Sequence, residues 1–144
     1  MKTFGQILLF TVCLAIASTA SAADPPTWGA QAGIFDGDFG FGARKDIVLG
    51  GDIHQITAQG AVYFQHRTTF RLDADYHFVI KAGGGRFYPL AGLDLALNSD
   101  GVQLGANGGG GVKFMLTKAL AAFAEVKYVF GTWDGWAING GVYF

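Results

Sequence analysis

Between Thr68 and Lys81 the chain alternates strictly. Thr68, Phe70, Leu72, Ala74, Tyr76, Phe78 and Ile80 fall on one side, and Thr69, Arg71, Asp73, Asp75, His77, Val79 and Lys81 on the other. Successive strand side chains point to opposite faces, so this period of two describes a strand with one apolar and one charged face; a helix would scatter the charges around its circumference. The pattern recurs. Ile56, Ala58, Gly60, Val62 and Phe64 oppose Gln55, Thr57 and Gln59, and Phe87, Pro89, Ala91, Leu93, Leu95 and Leu97 oppose Asp94. Val102, Leu104, Ala106, Val112 and Phe114 oppose Gln103, Asn107 and Lys113; Leu120, Ala122, Ala124, Val126, Tyr128 and Phe130 oppose Glu125 and Lys127. Trp136, Ile138, Gly140, Val142 and Phe144 oppose Asn139 and Tyr143. Two weaker strands are expected at 28–36 and 39–49. In the second, Lys45 shares a face with Phe39, Phe41, Ala43, Ile47 and Leu49, and a bulge near Arg44–Asp46 would remove the conflict.

Short turns rich in Gly, Asn and Asp separate these runs, among them Asp36-Gly37-Asp38, Gly50-Gly51-Asp52 and Asn98-Ser99-Asp100-Gly101. Such residues tolerate the positive φ of tight hairpins. No connection has room for a crossover helix, so neighbouring strands pair antiparallel. The fold class expected is all-β: an eight-stranded antiparallel up-and-down transmembrane β-barrel.

Alternation alone does not say which face points outward. A lipocalin-like soluble barrel would line an apolar ligand cavity; a membrane barrel would turn the apolar face to lipid. Three features favour the second. Charges of both signs, Arg71, Asp73, Asp75, Lys81, Asp94, Lys113, Glu125 and Lys127, lie on one face, as suits a narrow lumen filled by paired side chains. Aromatic residues collect near strand ends on the apolar face, where interfacial girdles fall. About ten residues at roughly 3.3 Å each, tilted by roughly 40°, cover an apolar band about 25 Å tall.

Composition sharpens this. Glycine supplies 23 residues and aromatics 15% of the chain, without a collagen-like period, and the net charge of −1 suggests no nucleic-acid partner. The first 22 residues read as a secretory signal peptide: Lys2, an apolar stretch from Ile7 to Ala17, and the small-residue site Ala20-Ser21-Ala22, with the barrel domain at 23–144. Cys13 lies within the apolar stretch, so the mature chain carries no cysteine chemistry.

Chemistry-bearing motifs are sparse. Ser99 is the single serine after the signal peptide, and His54, His66 and His77 are widely spaced, so neither a serine–histidine catalytic arrangement nor a metal site is expected. His77 reads as a hydrogen-bonded interior histidine, with a proton-sensitive luminal role as the sharper alternative. The runs Gly83–Gly85 and Gly108–Gly111 lack the Lys-Ser/Thr and helix of a phosphate loop. No catalytic residue, cofactor or metal is expected.

The ending from Trp136 to Phe144, with Trp136, Ile138, Gly140, Val142 and Phe144 on one face, resembles the C-terminal assembly signal of outer-membrane barrels. The segment from Gly111 to Phe130, with Lys113, Phe114, the Leu116–Ala119 turn and Glu125 to Tyr128, resembles the penultimate hairpin of small opacity-type and OmpX/OmpA-like barrels, and Phe87 to Leu93 resembles another strand of that group. The resemblance implies a bacterial outer-membrane location, with outer-membrane lipid, the barrel insertion machinery and periplasmic chaperones as partners. The export signal, the eight alternating strands and the terminal Phe144 point to a structural or surface role without catalysis, with a narrow passive pore or a soluble periplasmic lipocalin-like barrel binding an apolar ligand as the alternatives. The short turns depart from the long loops common in that group and argue against loop-borne adhesion. Both termini are expected in the periplasm, with turns 36–38, 65–68, 98–101 and 131–135 facing outward.

Overall fold

In the computed structural model, residues 26–64 and 68–144 are described; the segment expected to be a signal peptide, with Cys13, and the turn at 65–67 lie outside them. Nine strand segments follow in chain order: β1 (Trp28–Phe35), β2 (Asp38–Gly50), β3 (His54–Phe64), β4 (Thr68–Phe78), β5 (Ile80–Ala82), β6 (Gly85–Asn98), β7 (Gly101–Met115), β8 (Ala121–Gly131) and β9 (Gly135–Tyr143). β4 and β5 form one wall strand. The pairing Ile80↔Phe87 continues the register of His77↔Leu90, and at the break the Val79 N–H donates to the Ile53 carbonyl at 2.7 Å. Each wall strand pairs antiparallel with its chain neighbour. β1 also pairs with β9, as in Ala32↔Gly140. The result is a closed eight-stranded up-and-down barrel, whose closure leaves no free sheet edge.

The turns explain the tightness of the connections. Asp36 (φ 46°) and Gly37 (φ 94°) both adopt positive φ, the requirement of the two-residue turn that matches strand twist. Elsewhere Asn98 Oδ1 accepts the Asp100 N–H at 2.9 Å across its turn.

The apolar face points outward. Phe70, Leu72, Leu93, Leu104, Phe130, Trp136 and Ile138 are each more than half exposed, whereas Arg71, Asp75, His77 and Lys127 are at most 2% exposed. A soluble barrel around an apolar ligand would require the opposite. Near the chain termini the outer surface carries Trp28, Tyr76, Phe78, Phe87 and Phe114; around the far end it carries Phe39, Phe41, Phe64, Phe70, Tyr128, Phe130 and Trp136. Neighbouring rings touch, as in Phe41–Phe64 (5.5 Å) and Tyr128–Trp136 (5.1 Å). Aromatic rings concentrated at two levels fit the two boundaries of a bilayer.

The bulge near Arg44–Asp46 that would remove the Lys45 conflict is absent. Pairing runs without interruption from Phe39↔Phe64 to Val48↔Gln55, and the register shifts only between Val48 and Gly50. Lys45 therefore stays on the outer face. Its Nζ lies 4.6 Å above the Trp28 ring and donates to Thr27 Oγ1 at 2.9 Å, close to the barrel end that bears the termini. A lipid-facing lysine costs about 2–4 kcal/mol at the bilayer midplane but about 0–1 at the interface, so this location accommodates it.

Candidate functional site

The interior is the only part of the described molecule where polar chemistry converges, and continuous register builds it. With Phe39, Phe41 and Ile47 turned outward, β2 sends Arg44 and Asp46 inward. By the same parity β3 contributes Thr57 and Gln59, β4 Arg71, Asp73, Asp75 and His77, and β6 Tyr88 and Asp94. Lys113 comes from β7, Glu125 and Lys127 from β8, and Asn139 and Tyr143 from β9.

Toward the terminal end, Asp46 accepts three bonds: from Lys113 Nζ at 2.8 Å, the Tyr143 hydroxyl at 2.8 Å and Thr57 Oγ1 at 2.9 Å. Arg44 reaches across the barrel to Glu125 at 2.8 Å, both side chains fully buried, and the Tyr88 hydroxyl donates to the same carboxylate at 3.2 Å. The Arg44 guanidinium also lies 4.3 Å from the Phe123 ring centroid. His77 stacks on Tyr88 with centroids 4.4 Å apart, its Nδ1 lying 3.3 Å from Thr57 Oγ1. Farther along, Lys127 Nζ sits between Asp75 (2.7 Å) and Asp73 (3.1 Å), while Gln59 donates to Asp75 at 2.7 Å. Arg71 pairs with Asp94 and lies 3.9 Å above the Phe35 ring. Each cation thus finds a carboxylate on another strand, the condition for keeping charge out of water.

Buried apolar clusters flank and interleave with this charge ladder. Phe35, Tyr63, Val129 and Ala137 pack together away from the termini, with Trp133 stacked on Phe35 at 6.5 Å. At the terminal end, Ala121, Phe123 and Tyr143 form one cluster and Val79, Tyr88 and Leu90 another.

Of the charges expected in the lumen, Arg71, Asp73, Asp75, Asp94, Lys113, Glu125 and Lys127 point inward and are joined as described. Lys81 is a correction. Its strand extends past the closed wall, so its side chain is about half exposed and pairs with Asp52 at 3.0 Å. The hydrogen bond and the positive charge of Lys81 hold the Asp52 carboxyl below its usual range. The residues missed were Arg44 and Asp46, and the parity of β2 without a bulge would have found them. Among the C-terminal residues, Trp136, Ile138 and Val142 face outward, and the Phe144 N–H donates to the Trp28 carbonyl at 2.8 Å. The histidines do not converge: His54 lies outside against Tyr76 and Phe78, His77 lies inside, and His66 is outside the described residues.

An apolar exterior with two aromatic levels, wrapped around a charged interior, defines a small eight-stranded transmembrane β-barrel. In solved structures this chain is similar to the N-terminal β-barrel domain of Pseudomonas aeruginosa OprF, with 25% identity and a TM-score of 0.61 over 82% of this chain and 96% of that one. No family model and no curated protein matches the chain.

Proposed function

We propose that this chain is an integral outer-membrane protein of the small-barrel kind, with a structural or surface role, a lumen closed by its own side chains, and no catalytic chemistry. The supporting observation is the cross-strand ion pairing that fills the interior, centred on Arg44–Glu125 and Lys127–Asp75. An ion entering such a lumen has to break buried pairs before it finds a path. The likeness to the OprF barrel supports the location, and the C-terminal residues Trp136, Ile138, Gly140, Val142 and Phe144 support assembly through the barrel insertion machinery with periplasmic chaperones. Placement near the opacity-type and OmpX/OmpA-like barrels rests on the same C-terminal third. Export by a signal peptide cleaved near Ala22 leaves both termini in the periplasm and turns 36–38, 98–101 and 131–135 at the cell surface.

Single-channel recording of the purified barrel in planar bilayers tests the closed lumen. The proposal expects a silent membrane. Steady open conductance would overturn it in favour of a narrow passive pore.

A further inference from the structure

The two rims of the barrel carry opposite charge among the described residues. Among the described residues, the turns away from the termini hold Asp36, Asp38, Asp100 and Asp134. The rim near the termini holds Lys45, Lys81, Arg86 and Lys118, with Asp52 engaged by Lys81. Three cations there, Lys45, Arg86 and Lys118, are spread over β2, β6 and the β7–β8 turn, around the circumference instead of in one pocket. Lys118 is exposed in its turn, and Arg86, opposite Lys113, has the inward parity of β6 and lies at the barrel mouth. Lys45 is the most informative of the three. It lies on a face otherwise given to apolar side chains, and the Trp28 ring and Thr27 hydroxyl direct its ammonium toward the rim.

We infer that this basic rim binds the headgroups of anionic phospholipids in the leaflet surrounding the chain termini. The inference rests on the reading that the barrel spans a membrane. A ring of cations at headgroup depth, beside an aromatic girdle, meets many phosphates at once. Lysine and arginine near an anionic surface are attracted to it within a Debye length, and the long side chain of Lys45, the one of the three on the apolar wall, reaches toward the headgroups. The acidic far rim would repel the same lipids, so the preference belongs to one leaflet.

Native mass spectrometry tests this on the mature barrel released from nanodiscs made with equal phosphatidylglycerol and phosphatidylcholine. The expected result is several-fold preferential retention of phosphatidylglycerol by the native sequence, declining as salt is raised. The Lys45→Gln/Arg86→Gln/Lys118→Gln variant loses that preference, while an Asp36→Asn/Asp134→Asn control keeps it. Equal retention of the two lipids by the native sequence overturns the inference, as does a salt-insensitive preference or one that survives in the triple variant. Gel mobility with and without boiling is read on the same samples. A barrel that inserts without lipid preference sinks the headgroup site alone; a chain that inserts into neither lipid sinks the membrane-spanning reading with it. The salt series needs only the native sequence, so it decides the matter even if the triple variant does not fold.

Discussion

Replacing Arg44 with methionine is the most informative single perturbation of the lumen. Arg44 is 1% exposed, and its guanidinium bonds Glu125 at 2.8 Å and lies over the Phe123 ring. Methionine retains much of the volume and removes the charge, so the effect isolates the pair. Two unit charges about 4 Å apart at an effective dielectric of about 20 attract by about 4 kcal/mol. Breaking a buried pair from one side costs about 3–5 kcal/mol, because the surviving charge stays out of water. The Tyr88 hydroxyl still donates to Glu125 at 3.2 Å, so the expected loss falls within this range and not above it. The assay is urea unfolding of the barrel in lipid vesicles, followed by tryptophan fluorescence and by gel mobility. Adding Glu125→Gln to Arg44→Met removes the stranded charge, and it should recover at least half of the lost stability. A loss below about 1 kcal/mol for the single variant, or a double variant no better than the single, would refute the claim that a desolvated ion pair ties these walls together.

Three further outcomes follow from other parts of the molecule. A methyl group added at Gly111 would lie 2.5 Å from Tyr88 Cζ and its hydroxyl, so Gly111→Ala should cost roughly 1–3 kcal/mol, read from the same unfolding midpoint; an unchanged midpoint would mean that Tyr88 is not fixed there. The Asp52 carboxyl should titrate below the ordinary aspartate range by NMR, and it should return to that range in Lys81→Gln. Because the folded value is depressed, the small contribution of this exposed pair is present above the unfolded range and lost as pH falls through the folded value; identical titrations in both proteins would exclude the pairing. Phe144→Ala should slow insertion more than it lowers final stability, and normal insertion kinetics would contradict an assembly role for the C-terminal residues.

Much of the architecture was legible because the period of two is unusually clean. From Phe70 to Phe78 every second residue reads apolar, and the same residues form the outer face of β4. Parity determines a face, but not depth along the barrel, and Lys81 illustrates the difference: it follows the inward parity of His77 and Val79 but lies past the closed wall, where Asp52 and water receive it. The Arg44-Lys45-Asp46 triplet misled for a related reason. A charge on the apolar face suggested a bulge, whereas a terminal aromatic and a hydroxyl accommodate Lys45 without one. With the register of this strand left open, its two luminal charges, Arg44 and Asp46, were not assigned to the interior. Cross-barrel partners are legible still less. Arg44 and Glu125 are 81 positions apart, and their meeting depends on the closure of β1 against β9 and on the stagger of the wall. Nothing in the local pattern encodes either one directly.

The measurement that bears most directly on the account is membrane fractionation of the expressed protein, followed by electrophoresis of detergent-extracted material with and without boiling. A barrel with an apolar belt and an ion-paired interior should be found in the outer-membrane fraction and migrate faster unboiled, as a compact detergent-resistant form. A protein that stays soluble without detergent and shows no mobility shift would contradict the outward-facing apolar surface on which the membrane-spanning reading rests.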